Sequence, residues 1–413
     1  MPQHRVVITG LGAVSPLGTG VRQMWEGLLE GRTGVRHSPA LSAVSGLRTT
    51  VAASAPEVDA TGIDRKKRRY MSPMSVYATI AAREALQMAS LTAEQVQGPR
   101  TGVCFGSTTG SSQETESFFQ TMLRTGSVAS LKSTHFFKIM NSSCAANLAQ
   151  ALGICGRLLA PSAACATGTI AIGLAAEAIA AGKQEIMIAG GADELHPLTV
   201  AVFDTFEASS RAYNDRPDLT PRPFDKDRDG IVCGEGAGAV VLEALEHAQA
   251  RQAEILGEIR GFAINSAPND IANPDVDSMV QCMTAAMDES GLPKASVDYI
   301  NAHATGTVQG DEAEAQAIES VFGRETPVSS LKGHMGHTMA ACGALESIAT
   351  LLMMRQGVLV PTRNLQEPDA TCRRLNLPKA VERRPMSVAM VNSFALGGVN
   401  SAMVISGRFD SDR

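Results

Sequence analysis

Four side chains in three short segments carry most of the chemistry this sequence can do. Pro161-Ser162-Ala163-Ala164-Cys165-Ala166-Thr167-Gly168-Thr169 sets a cysteine where an apolar run turns into a helix of small residues. A thiol there meets unpaired backbone N–H groups and the positive end of the helix dipole, which favour thiolate and make it a nucleophile. The alternative is a small buried apolar cysteine. Tyr299-Ile300-Asn301-Ala302-His303-Ala304-Thr305-Gly306-Thr307 puts His303 just past a strand end, where open α/β sheets place their ligands. Lys332-Gly333-His334-Met335-Gly336-His337 adds a lysine and a further imidazole just before a helix. Each histidine alone reads as structural, but two imidazoles with a helix-end thiol form a set. Neutral Nε2–H groups can donate to a developing oxyanion or enolate, which thioester chemistry requires. Near the C-terminus, Asn392-Ser393-Phe394-Ala395-Leu396-Gly397-Gly398-Val399-Asn400 reads as a glycine-rich turn after a strand. It is either an ordinary left-handed turn or a source of backbone donors for a thioester oxygen.

The elements that must hold these segments alternate between strand and helix. Strands are predicted at 5–9, 102–105, 157–160, 185–189, 237–243, 258–264, 299–301, 386–391 and 402–405. Helices are predicted near 21–29 and at 75–88, 144–153, 168–181, 279–290, 312–321 and 338–354. This alternation predicts α/β layers with sheets covered on both faces. The second half echoes the first: 164–182 runs from a reactive-looking turn through a small-residue helix to glycine, and 336–357 does the same around His337. A duplicated unit joined near Arg251–Leu256 accounts for this, giving domains 1–253 and 254–413. The stretch 215–236, with Pro217, Pro221 and Pro223, reads as a long loop.

Composition narrows the class. At 413 residues with a net charge of −6, 19% charged and 44% apolar residues, the chain reads as a globular enzyme with no basic excess for nucleic acid. No apolar run approaches the roughly 18 residues of a membrane span, and no signal peptide is expected. Eight scattered cysteines without a CxxC pair predict a reducing cytoplasm, no disulfides and no zinc site. Arg65-Lys66-Lys67-Arg68-Arg69 is a run of five cations in an acidic protein. It is either solvated surface or an attractor for an acidic partner.

Taken together, these segments resemble the β-ketoacyl-acyl-carrier-protein synthases of the elongating type I/II class, over essentially the whole chain. The resemblance rests on Val6-Val7-Ile8-Thr9-Gly10-Leu11-Gly12, Ala164-Cys165-Ala166-Thr167, Pro221-Arg222-Pro223-Phe224-Asp225, Asp229-Gly230, the His303 segment with Gly310-Asp311, the Lys332–His337 segment and Asn392-Ser393-Phe394. It implies a thiolase-like duplicated α/β/α/β/α sandwich in five layers, assembled as a homodimer or as a heterodimer with a chain-length-factor homologue. It implies that Cys165 takes an acyl chain from acyl carrier protein, and that His303 and His337 assist decarboxylation of malonyl-carrier protein. Lys332 matches the family's active-site lysine and Glu314 its acidic partner, with Asp311 in support. Thr305 and Thr307 match threonines that bind the pantetheine arm, and the amides of Cys165 and Leu396 an oxyanion hole. Arg65, Lys66 and Arg69 fall where the carrier protein docks. No resident cofactor or metal is implied, since the phosphopantetheine arrives with the substrate.

The chain also departs from the family pattern. The family's Phe-Gly-Phe-Gly-Gly-Thr-Asn turn is here Phe394-Ala395-Leu396-Gly397-Gly398-Val399-Asn400, so the acyl-pocket gate, with Phe394 beside it, carries Leu396 in place of an aromatic. Ala304 stands where glycine is usual, and His334-Met335 where Met-Thr is usual. Phe136-Phe137 and 141–147, in the region of the dimer contact, also differ. These departures resemble synthases of specialised polyene pathways, including aryl polyenes. Two rivals share the fold: a non-catalytic chain-length-factor-like subunit, which typically lacks the cysteine, and a thiolase, which carries a second cysteine in the C-terminal glycine turn. The initiating synthases, with Cys-His-Asn, are disfavoured by His337.

Overall fold

The computed structural model describes residues 4–407. Ten strands lie along one continuous sheet path: β1 Val6–Ser15, β2 Thr101–Gly106, β3 Leu158–Leu159, β4 Ile186–Asp193, β5 Gly236–Ala244, β6 Gly257–Ser266, β7 Tyr299–Asn301, β8 Val328–Ser329, β9 Val388–Ala395 and β10 Val399–Ser406. Their order is β3-β2-β4-β5-β1-β6-β10-β9-β7-β8. Within each half the order from the outer edge inward is third, second, fourth, fifth, first. In both halves the outer three strands are parallel and the remaining pairings antiparallel. The suspected internal echo is thus a repeated topology. The halves join edge to edge where Val6, Val7 and Ile8 pair with Ile259, Glu258 and Gly257.

Six helices complete the layers: α1 Pro73–Met88, α2 Ser143–Leu152, α3 Thr167–Ala180, α4 Val276–Ser290, α5 Val308–Phe322 and α6 Cys342–Gln356. α3 and α6 are buried on nearly every side, as helices held between the two halves of the sheet must be. Three apolar cores follow from this arrangement. One surrounds α3 and α6, one lies between α1, α2 and the first half of the sheet, and one lies between α4, α5 and the second half. α3 and the segment leading into and beginning α6 pack closely at two glycines. A Cβ on Gly168 would lie 2.5 Å from the Ala340 carbonyl oxygen, and one on Gly343 2.0 Å from Thr169 Oγ1.

Several expectations needed correction at element ends. The glycines after Thr9 are not a turn: β1 runs on to Ser15 through a bulge between Ile8 and Gly10. Gly10 and Gly12 admit the backbone of α1, since added Cβ atoms would lie 2.0 Å and 1.8 Å from the carbonyl oxygens of Ala85 and Ala81. The strand expected over 157–160 shrinks to the edge pair Leu158–Leu159. Asn392, Ser393 and Phe394 belong to β9, and the turn is Leu396–Gly398. The stretch 215–236 is largely irregular, as its prolines imply.

Candidate active site

Cys165 sits in a 3-10 turn, Ala164–Ala166, whose C-terminal end feeds directly into α3. His303 follows β7, and His337 precedes a matching 3-10 turn, Met339–Ala341, that feeds α6. The duplicated fold therefore brings together three residues separated by up to 172 positions (337 − 165) in sequence. Cys165 Sγ and one ring nitrogen from each histidine lie within 4.8 Å of one another. The two rings are 5.2 Å apart, nearly perpendicular at 84°. All three line a cavity of about 390 Å³, together with Thr305, Thr307 and Phe394, and Leu396 lies at its rim. The threonine hydroxyls are 3.2 Å apart.

The imidazoles are set up as neutral donors. The Met339 N–H donates to His337 Nδ1 at 3.3 Å, which assigns the ring proton to Nε2. That Nε2 has no partner among the described residues, and neither does His303 Nδ1. Burial holds both rings well below the ordinary imidazole range, and the Lys332 charge adds to the effect on each. They therefore stay neutral at physiological pH.

The thiol differs from the sequence expectation. Its place before a helix was expected to favour thiolate, yet burial pushes Cys165 up to about 12. Lys332 and the backbone N–H groups of Cys165 and Leu396 pull the other way without overcoming it. The resting group is a thiol. Those same two N–H groups converge on the sulfur, where a captured carbonyl oxygen can reach them.

The partner of Lys332 is also corrected. Lys332 Nζ donates to Glu346 Oε1 at 2.5 Å, with both side chains buried, so Glu314 is not its direct partner. Burial opposes the lysine charge, but Glu346 outweighs it and holds the ammonium above its usual range. Glu314 instead fixes backbone: Oε1 accepts the His303 N–H at 2.8 Å, Oε2 the Ala304 N–H at 2.7 Å, and Asn392 Nδ2 lies 3.2 Å from Oε1. Burial lifts Glu314 to about 7 against those bonds. A turn earlier in α5, Asp311 likewise holds backbone, accepting from Thr305, Gly306 and Phe224 at 3.0, 3.1 and 2.8 Å. Arg228 stands 3.8 Å away, and burial raises Asp311 to about 6. Together the two carboxylates clamp the segment carrying His303, Thr305 and Thr307.

Glu346 was missed because nothing in its spacing links it to Lys332. The available signal was a lone carboxylate inside the apolar run of α6. His334 is a buried structural histidine, its ring nitrogens 3.0 Å from the Arg32 carbonyl oxygen and 3.2 Å from that of Pro361, and a neutral ring donates to one of the two. In the cationic run, Arg65, Lys66 and Arg69 are exposed, whereas Lys67 and Arg68 turn back to the carbonyls of Ala151 and Ala60.

Comparisons with known proteins agree with this geometry. The family model "Beta-ketoacyl synthase, N-terminal domain" matches residues 3–248, and "Beta-ketoacyl synthase, C-terminal domain" matches 256–366. The chain is 38% identical over 404 residues to 3-oxoacyl-[acyl-carrier-protein] synthase 1 of Escherichia coli K12, covering 97% of this chain and 98% of that one. Its fold superposes on the crystal structure of a β-ketoacyl synthase from Burkholderia phymatum with a TM-score of 0.95 at 41% identity, covering 98% of this chain and all of that one. It also matches a type II polyketide ketosynthase solved with its acyl-carrier protein, with a TM-score of 0.90 at 29% identity over 98% of this chain and all of that one. The duplicated sandwich is the thiolase-like fold that was expected, and the chain belongs to the β-ketoacyl synthase family.

Proposed function

We propose that this protein is a 3-oxoacyl-[acyl-carrier-protein] synthase that condenses malonyl-carrier protein with an acyl chain held on Cys165. The observation that carries this reading is the convergence of the Cys165 sulfur and two neutral imidazoles within 4.8 Å. In the first half-reaction the thiol gives up its proton, and Sγ attacks the acyl thioester carbonyl. The oxyanion rests on the N–H groups of Cys165 and Leu396, and the pantetheine thiol leaves with a proton. In the second, the malonyl thioester oxygen accepts a hydrogen bond from His337 Nε2–H and one from His303. The carboxylate departs as CO2, and its bonding pair becomes the enolate. The enolate carbon attacks the Cys165 thioester, and collapse expels the cysteine sulfur and gives a 3-oxoacyl chain two carbons longer. Loss of CO2 makes the step irreversible without a strong base.

Lys332, held charged by Glu346, sets the field around both imidazoles, and Thr305 and Thr307 line the path of the pantetheine arm. Residues 1–253 supply the nucleophile and 254–413 the imidazoles and lysine. Arg65, Lys66 and Arg69 form the docking patch for the acidic carrier. The exposed edge strand β3 and the exposed Phe136 and Phe137 support assembly as a dimer. Leu396 is a smaller gate residue than an aromatic ring and leaves a wider opening, which admits the more rigid, unsaturated chains of a polyene pathway. Eight unpaired cysteines support a reducing cytoplasm, and among the described residues no helix is long and apolar enough to cross a membrane.

The non-catalytic reading requires loss of a nucleophile that is present here with both imidazoles. The thiolase reading requires a second thiol at the cavity. Cys342 instead donates to the Cys165 carbonyl oxygen at 3.3 Å, and the Leu396–Gly398 turn has none. Replacement Cys165→Ala should abolish condensation of acyl- and malonyl-carrier protein. Full activity without that thiol would end the proposal.

A further inference from the structure

The repeated topology predicts a second copy of the catalytic pocket, and the structure shows how it is filled. Ala164 and Met339 begin the two 3-10 turns with φ of 46° and 52°, so Ala340 stands where Cys165 stands in the other half. Matching strand registers pair Asp193, the last residue of β4, with Ala395, the last of β9. They likewise pair Thr108 after β2 with Thr305 after β7. In the working pocket the Cys165 N–H is left for a substrate oxygen. In the duplicate, Ala340 N–H donates to Asp193 Oδ2 at 2.8 Å, and Thr108 N–H to Oδ1 at 3.1 Å, with the Thr108 hydroxyl also bonded to Oδ2. The carboxylate is buried and forms no ion pair among the described residues. Backbone and hydroxyl donors alone hold it.

Ala340 adjoins Met339, whose N–H fixes the tautomer of His337. We propose that Asp193 is a positioning residue for the condensation: a built-in carboxyl acceptor that fills the duplicate oxyanion hole and, through Ala340 N–H, pins the turn that keeps the His337 proton on Nε2. Burial lifts Asp193 to about 7 against these hydrogen bonds.

The inference builds on the condensation reading, so its test has one arm that needs no turnover. Asp193→Asn keeps the shape but replaces one acceptor oxygen with a donor, so the Ala340 and Thr108 N–H groups can no longer each be accepted by a separate oxygen. Thr108→Val removes only the hydroxyl bond. In ¹⁵N NMR of histidine-labelled protein without substrate, the His337 ring should pass from a single Nε2–H tautomer to a mixture in Asp193→Asn, and less so in Thr108→Val. In parallel, kcat for malonyl-carrier decarboxylation should fall at least about tenfold with KM little changed, while alkylation of Cys165 by iodoacetamide does not slow, since loss of the nearby Asp193 charge favours the thiolate. A purely structural role would lower Tm and slow alkylation and decarboxylation in proportion, and that result, or an unchanged tautomer, overturns the proposal. Should Asp193→Asn fail to fold, Thr108→Val decides alone by the same signature. If the unaltered protein does not decarboxylate malonyl-carrier protein, the condensation reading falls, while the NMR arm still decides the anchor.

Discussion

Cys165 has to become an anion in a place that disfavours anions, and this shapes how it reacts. Because burial pushes the thiol up to about 12, the reactive thiolate fraction grows tenfold with each pH unit below that value. Iodoacetamide alkylation of the resting enzyme should therefore climb by about tenfold per unit between about pH 7 and 10 without levelling. A plateau near an ordinary thiol pKa would mean that Lys332 and the helix end outweigh burial. Glu346 invites a second measurement. Replacement by alanine strands the buried Lys332 charge, so unfolding stability should drop by about 3–5 kcal/mol, seen as a lower denaturant midpoint. Cys165, His303, Lys332 and His337 were legible because reactive side chains next to glycine and threonine at strand and helix ends stand out from apolar surroundings. Glu346 and Asp193 were not legible as site residues. Their partners lie in other elements, and only the folded chain brings them together. The thiolate expectation failed because a sequence shows the helix end but not the depth of burial.

The helices and strands do their work through close backbone contact. Gly168 and Gly343 let α3 and α6 meet, and both catalytic turns sit at the N-terminal ends of these helices. Gly168→Ala should force them apart, lowering stability by about 1–3 kcal/mol and slowing condensation beyond that loss of stability. Differential scanning calorimetry and a carrier-protein condensation assay would separate the two effects. Central elements were read nearly to the residue: β7 falls at 299–301 as expected, and α3 is displaced by one position from 168–181. Misreadings clustered where glycine serves packing instead of turning the chain. Gly10 and Gly12 look like a turn in sequence and are strand positions that admit α1. The short edge strand β3 was overextended because an apolar run does not reveal how few residues find a partner.

For the molecule as a whole, the acidic net charge and the local cationic run 65–69 make a testable contrast. Reversing Arg65, Lys66 and Arg69 to glutamate should raise KM for carrier-bound substrate at low salt and flatten its salt dependence. Turnover of a small thioester lacking the carrier should stay unchanged. Equal loss with both substrates would place the patch outside docking. The five-layer arrangement was foreshadowed by the echo between 164–182 and 336–357, but the edge-to-edge joining of the two halves through β1 had no sequence signal. That joining bears on how the protein is made. β1 pairs with β5 on one side and β6 on the other. An apolar segment near the front of the chain, met earlier by the short pair Gly18–Thr19 and by α1, thus leaves the ribosome about 230 residues before its first long strand partner, a wait of roughly 10–50 s at typical translation rates. During synthesis that segment is a natural client for a holding chaperone, and the first half closes only as the second begins to emerge.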